Sequence, residues 1–284
     1  MGVSFRWGEW KRLLACDFDN TLVYTEPALV AGEPIPSLSP ENRAALEHFT
    51  ANGGHFAVAT GRALAAFQAL APDLPINTPC VICNGAALYD FAQGEYLDFN
   101  LLDETALRRG QALLDAFPTL AVEAYHIGNV VHAVRPNEYV RRHEHLTHVG
   151  TEEKPSLLDV PLPLGKCIYE DDHETLLAVR RRMTEEGWDA DYEIVFSRDN
   201  LLEVTAKGAD KGGMVLRLAE RLGIAREDVC CMGDEGNDLS MLWIAGHAFA
   251  PANGSAAVKA VSTVVSHAQG HAVADVVAIL DRLY

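Results

Sequence analysis

The chain has 284 residues, 49% hydrophobic and 22% charged, which is enough apolar material for one large domain or two modest ones and too much for a disordered chain. A formal charge of −17, from 40 acidic against 23 basic residues, repels polyanions and argues against a nucleic-acid partner. No apolar run approaches the roughly 20 residues that cross a bilayer, and the opening Met1-Gly2-Val3-Ser4-Phe5-Arg6 has neither a signal core nor the Ser or Thr that myristoylation needs where Arg6 stands, so a cytoplasmic protein with no membrane partner is expected.

The first element in chain order is the run Leu13-Leu14-Ala15-Cys16, which stops at Asp17. A helical pattern follows over residues 40–49, which carries Ala44, Ala45, Leu46 and Phe49. Two more short runs come next: Phe56-Ala57-Val58-Ala59, ending in Thr60, and Val81-Ile82-Cys83, ending in Asn84. Runs that are apolar at every position suit strands buried on both faces, as in a parallel sheet. From about 87 to 205 the pattern changes. Alternating stretches (Val130-Val131-His132-Ala133-Val134, Glu193-Ile194-Val195-Phe196) sit among a helix over 176–183 and a Pro-rich stretch at 155–163, which reads as an inserted α+β domain. The earlier pattern resumes at Lys211. Met214, Val215, Leu218 and Leu222 recur at helical spacing before Gly223, a C-cap residue, and Val229-Cys230-Cys231-Met232 runs through Gly233 into Asp234.

Strands alternating with helices predict a doubly wound, Rossmann-like α/β core made of 1–86 and 206–284, with the insert at 87–205. Ligands of such sheets bind beyond the carboxyl ends of the strands, where Asp17, Thr60, Asn84 and Asp234 would meet. The six cysteines (Cys16, Cys80, Cys83, Cys167, Cys230 and Cys231) fall mostly inside the apolar runs and read as small core residues. Cys80-x-x-Cys83 has no second pair to complete a zinc site.

Four constellations can carry chemistry. In Asp17-Phe18-Asp19-Asn20-Thr21-Leu22, two carboxylates two residues apart past a buried strand can face one site; like charges so close call for a cation, and hard carboxylate oxygens suit magnesium. A carboxylate can also attack phosphorus. A plain turn fits the same residues. Gly233-Asp234-Glu235-Gly236-Asn237-Asp238-Leu239-Ser240-Met241-Leu242 offers more carboxylates at a helix start, where Asn237 or Asp238 could equally be a cap. Thr60-Gly61-Arg62 presents a hydroxyl and N–H groups at a strand-to-helix turn, fit for phosphate oxygens or for simple capping. Lys211, before Gly212-Gly213, could neutralise phosphate; Lys207 is its rival, and either could be a solvated surface lysine.

Together and in this order, these segments resemble the four motifs of the haloacid dehalogenase superfamily, most closely its Cof-type phosphatases, kin of the sucrose-phosphate phosphatases. The matching segments are Asp17 to Leu22, Thr60 to Arg62, Asn84-Gly85, Lys211-Gly212 and Gly233 to Leu242, with a similar tail at Asn253-Gly254-Ser255-Ala256, Val258-Lys259 and Gly270. Asn20 stands where most Cof-type members carry Gly and the sucrose-phosphate phosphatases carry Asn.

The resemblance implies a magnesium-dependent phosphatase acting on a small phosphorylated metabolite such as a sugar phosphate. Asp17 would be the nucleophile and form an aspartyl-phosphate. Asp19 would be the acid and base, with a carboxyl above the ordinary Asp value. Thr60 and Lys211 would hold phosphoryl oxygens, as would Gly61, Arg62, Asn84 and Asn237. Mg2+ would sit on Asp17, the backbone carbonyl of Asp19 and Asp234, with Asp238 beside it. The insert would be a large α/β cap that reads the leaving group, with His126, His132, Arg135, Arg141 and Arg142 as candidate contacts and His143, His145 and His148 as a solvated turn. Arg180-Arg181-Arg182 with Glu185-Glu186 reads as an exposed helix face. A sugar phosphomutase shares every motif, and a non-catalytic sugar-phosphate-binding protein shares the fold; the intact Asp17, Asp19 and Lys211 weigh against the latter. Oligomeric state is invisible at this level.

Overall fold

The computed structural model describes residues 11–127 and 129–283; the expectation about the first six residues lies outside them. No helix among the described residues is long and apolar enough to cross a membrane.

The core is a five-stranded parallel sheet in the order β14-β13-β12-β1-β2, made of β1 (Arg12–Cys16), β2 (Gly54–Val58), β12 (Val229–Met232), β13 (His247–Ala250) and β14 (Thr263–Val264). Its central strands are apolar and buried over residues 13–16, 56–58 and 229–232 because both faces are covered there. Leu14, Cys16, Phe56, Val58, Cys230 and Met232 point to one side, where α2 (Pro40–Ala51) and α10 (Ala272–Leu283) supply Leu46, Phe49, Val273 and Val276. Leu13, Ala15, Ala57, Val229 and Cys231 point to the other, against Met214, Val215 and Leu218 of α7 (Lys211–Leu222) and Met241 and Leu242 of α8 (Leu239–Ile244). Each fully buried Leu, Val or Met on these faces stabilises the fold by about 1.5–3 kcal/mol. As expected, α7 ends on Gly223 in the left-handed region, and all six cysteines are buried and free.

The third run becomes β3 (Cys80–Ile82), and it differs from the expected plain parallel strand. It touches the end of β2 through one parallel bridge, Ala59 to Val81, and then turns back as an antiparallel meander with β4 (Ala87–Asp90) and β5 (Glu95–Phe99). The turn is made by Cys83, Asn84 and Gly85, all at positive φ. A Cβ on Gly85 would lie 2.1 Å from the Asp210 carbonyl oxygen, so only glycine lets this turn press against the start of α7.

The inserted cap is a mixed six-stranded sheet, β10-β11-β9-β6-β7-β8. Its strands are β6 (Ala121–His126), β7 (Val130–Val134), β8 (Glu152–Lys154), β9 (Leu164–Glu170), β10 (Tyr192–Arg198) and β11 (Leu201–Ala206). One face, with Val122, Ala124, Cys167, Tyr169, Leu202 and Val204, packs on α4 (Glu104–Ala116) and α6 (His173–Glu185) around the buried Trp188. The opposite face sends Tyr125, Val131, Ile168 and Leu201 into the same cluster as Phe18 and Cys83 of the core. It therefore roofs the carboxyl ends of the core strands. The helix α5 (Glu138–Thr147) borders this face, and the short helices α1 (Glu26–Ala31), α3 (Leu64–Phe67) and α9 (Ala256–Lys259) complete the core.

Candidate active site

The loops after β1, β2, β3 and β12 meet at one point. Asp17 follows β1 directly, and its N–H donates to Met232 O at 2.9 Å, tying the first loop to the end of β12. Asn20 then turns the chain at φ 58°, a region Asn tolerates better than most residues, and Asn253 Nδ2 holds its carbonyl at 2.9 Å. An asparagine can therefore stand in this turn where glycine is the commoner choice.

Lys211 opens α7 behind its N-cap Asp210 and is buried to its tip. Its Nζ donates to Asp17 Oδ1 at 2.5 Å and to Asp238 Oδ1 at 2.6 Å. Asp238 Oδ2 in turn accepts the N–H groups of Asp234 at 2.9 Å and Glu235 at 3.0 Å, so it caps this turn and orients the lysine at once. Thr21 Oγ1 donates to Asp234 Oδ1 at 2.9 Å. Gly233 makes the approach possible, since a Cβ there would meet Asp238 Cβ at 2.4 Å.

Oxygens of Asp17, Asp234 and Asp238 lie within 4.8 Å of one another, all buried. One ammonium against three carboxylates leaves two negative charges, the amount one divalent cation would offset. The surplus of negative charge favours protonated carboxyls. Burial, then Asp238, pushes the Asp234 carboxyl up to about 7. Burial also raises Asp17; Lys211 pulls it back, but Asp238 and Asp234 add to the rise. Lys211 is held protonated: burial disfavours its charge, and the two aspartates more than compensate. A hard, all-oxygen, acidic donor set that lacks positive charge fits a magnesium-type ion.

Asp19 faces away from this trio. Arg62 grips it with Nε on Oδ2 at 2.8 Å and Nη2 on Oδ1 at 2.7 Å, and Thr25 Oγ1 donates to Oδ1 at 2.7 Å. Burial pushes the Asp19 carboxyl up, but the Arg62 charge and both sets of hydrogen bonds outweigh it and hold it below the ordinary value. This corrects the expectation of a raised Asp19.

Thr60 is buried at the end of β2, with its N–H on Val81 O at 2.9 Å and its Oγ1 accepting the Arg62 N–H at 3.1 Å. It is not the cap of α3, a place held by Ala63. Asn84 is the hub of the next layer. Its Oδ1 accepts from Asn237 Nδ2 at 3.1 Å, its Nδ2 donates to Glu203 Oε2 at 2.9 Å, and Gly61 packs against its side chain.

Two roof residues escaped the sequence reading. Lys166 on β9 and Glu203 on β11 pair at 3.0 Å on the cap face, almost fully buried. Lys166 also donates to Gly61 O at 3.0 Å. Each is a lone charge in a strand, so no local motif marks it. Of the cap contacts expected instead, only His126 reaches the interface, in a cavity also lined by Cys83, Tyr96, Tyr125 and Val131. His132 lies on the opposite strand face, paired with Ala124. Arg135 is tied to Leu114 O and Asp115, and Arg141 to Glu144 and Glu153, while Arg142 is exposed. Lys207 is exposed and bonded to Glu193 and Asp189 O, so it is no rival to Lys211. His143 is not solvated: it is mostly buried between Glu123 and Glu170.

A family model described as haloacid dehalogenase-like hydrolase matches residues 14–277. The chain belongs to that family. Among curated relatives, a 5-amino-6-(5-phospho-D-ribitylamino)uracil phosphatase of Bacillus subtilis is 26% identical over 250 residues, covering 87% of this chain and 86% of the relative. A pyridoxal phosphate phosphatase of Escherichia coli is 23% identical over 269 residues, covering 89% and 92%. Among solved structures, a haloacid dehalogenase-like hydrolase from Bacteroides thetaiotaomicron superposes with a TM-score of 0.79 at 24% identity, over 96% of this chain and all of that one. A subclass IIB sugar phosphatase superposes at 0.75 with 21% identity, over 96% and 98%. At these identities the structures speak for the fold alone. The family match and its named relatives make the protein a hydrolase of the phosphatase kind.

Proposed function

We propose that the protein is a magnesium-dependent hydrolase of a small phosphomonoester, a sugar phosphate or related metabolite, working through an aspartyl-phosphate on Asp17. The observation that carries this reading is the buried set Asp17, Lys211, Asp234 and Asp238 at the strand ends, one divalent cation short of neutrality. Lys211 occupies Oδ1 of Asp17, and the other oxygen is the one that attacks phosphorus. As that bond forms, the bond from phosphorus to the leaving oxygen breaks, and Asp19 gives the leaving oxygen its proton. Asp19 then takes a proton from water, whose oxygen attacks phosphorus and releases phosphate and free Asp17. Thr60, Gly61, Arg62, Asn84, Asn237 and Lys211 hold the phosphoryl oxygens, so most of the rate comes from positioning and charge. A bound magnesium ion, held by Asp17, the Asp19 carbonyl and Asp234 with Asp238 beside it, would offset phosphoryl charge.

Asp19 must be released and take up a proton from solvent before it can act as an acid, because the Arg62 fork keeps it ionised. Substrate phosphate is the natural competitor for that arginine. The cap begins after the β4–β5 hairpin, which pairs with the core-side β3, and runs to about 205; its polar face over Asn84 reads the leaving group.

The test is phosphate release from a panel of phosphorylated metabolites, with and without magnesium, for wild type and Asp17→Asn. Magnesium-dependent release that Asp17→Asn abolishes is expected. A sugar phosphate isomerised without phosphate release would overturn the hydrolase reading in favour of a mutase.

A further inference from the structure

Away from the catalytic aspartates, the cap holds a second group of ligand-type side chains. Glu123 on β6 and Glu170 on β9 lie on the same face of adjacent strands, since Glu170 pairs with Ala121, two residues before Glu123. The helix α5 lays His143 over both. His143 Nδ1 is 2.8 Å from Glu123 Oε2 and 3.4 Å from Glu170 Oε1. Tyr125 OH donates to the same oxygen, Glu123 Oε2, at 2.6 Å and helps to fix that carboxylate. One ligand atom from each of the three residues lies within 4.8 Å of the others.

Glu170 is the odd member. Its side chain is 0% exposed, and neither oxygen accepts a hydrogen bond from any described residue. His143 Nδ1 points its proton at Glu123 and stands only in the wider ion-pair range of Glu170, so both Glu170 oxygens are left without a hydrogen bond, which is expensive in a buried site. Burial, with Glu123 beside it and His143 pulling the other way, pushes its carboxyl up to about 7.

We propose that Glu123, His143 and Glu170 form a metal site in the cap, separate from the catalytic one, that takes a divalent first-row transition ion such as zinc or manganese. The donor set decides the class. One imidazole nitrogen with two carboxylates suits zinc or manganese, whereas magnesium prefers oxygen alone. The spacing agrees: ligands at about 2.1 Å from a metal and roughly 90–110° apart stand about 3.0–3.4 Å from each other, close to the two distances from His143 Nδ1. The ion would take the place of the proton between imidazole and carboxylates and tie α5 to β6 and β9. That helix borders the core, because a Cβ on Gly32, just after α1, would come within 3.5 Å of His145 Nε2. The ion would therefore brace the edge of the roof.

The measurement is zinc and manganese binding by titration calorimetry to chelator-stripped protein carrying Asp234→Asn, which cripples the catalytic site and makes the result independent of turnover. One tight site per chain should remain. Adding His143→Ala or Glu170→Gln should weaken it by at least about 100-fold and remove the rise in melting temperature that zinc gives. Glu170→Gln keeps the side chain's shape and removes a buried carboxylate that no hydrogen bond satisfies, so its metal-free melting temperature should match or exceed the parent's, which separates loss of a ligand from loss of the fold. Absence of a site in the Asp234→Asn protein, or equal affinity with His143→Ala or Glu170→Gln, would overturn the proposal.

Discussion

The core and the cap bury charge in different ways. In the core, the buried charges stand on the loops and helix starts that follow strand ends, where three carboxylates crowd one lysine. In the cap, Glu123, Lys166 and Glu203 stand in mid-strand and Glu170 at the end of β9, all on the one sheet face that roofs the core. A loop past a strand end can gather neighbours in sequence around one point. A strand presents every second residue to a face, so a site on a sheet draws one residue from each strand. The first arrangement gathers the proposed reaction centre; the second builds a surface above it whose side chains come from separate strands.

The largest effect that tests this contrast is removal of the core lysine. Lys211→Met leaves Asp17 and Asp238 buried without their cation. It should cost about 3–5 kcal/mol in metal-free denaturant unfolding and lower kcat by at least about 100-fold. A variant of near wild-type stability would mean that the carboxylates are already neutral.

Metal dependence should follow the titration of the same group. With Asp234 raised from 3.8 to about 7, the metal-free native state keeps a proton that the unfolded chain loses. Its contribution to stability is greatest at low pH and falls as pH rises from about 4 to about 7. Magnesium must displace that proton, so its stabilisation should be small at pH 5 and, at 100 times Kd, reach about 2.7 kcal/mol above pH 7. Melting temperatures with and without magnesium across that window check it; a gain that is flat in pH would break the link.

The cap pair should matter less for folding and more for substrate choice. Glu203→Leu and Lys166→Met remove the contacts to Asn84 and Gly61 and should each cost about 1–3 kcal/mol in kcat/KM, with the ranking of substrates altered. An unchanged ranking would assign the pair to holding the cap closed. Smallest of all, Lys207→Ala should change stability by less than about 0.5 kcal/mol and leave kcat alone, although this exposed lysine lies only four positions before Lys211.

The contrast also explains what the sequence disclosed. The core strands were readable because burial on both faces makes Leu13 to Cys16 and Val229 to Met232 apolar throughout, and the site segments were readable because Asp17, Asp19 and Thr21, or Asp234 and Asp238, are close in sequence. The hairpin after β3 was not: its turn depends on a contact between Gly85 and Asp210, far apart in the chain. Lys166 and Glu203 were hidden for the same reason, each being a lone charge whose partner sits on another strand. His143 was misread because a helix with Arg141, Arg142 and His145 looks solvated until Glu123 and Glu170 come beneath it. The lowered Asp19 carboxyl required knowing where Arg62 points, which spacing alone does not say.

The most direct test of the account is to quench the enzyme with acid during turnover of its best panel substrate and map phosphoryl groups by peptide mass spectrometry, with Asp17→Asn alongside. The account predicts one phosphoryl group on Asp17 of the wild-type protein, and an Asp17→Asn protein with neither label nor turnover. A label on another residue, or wild-type turnover by Asp17→Asn, would contradict it.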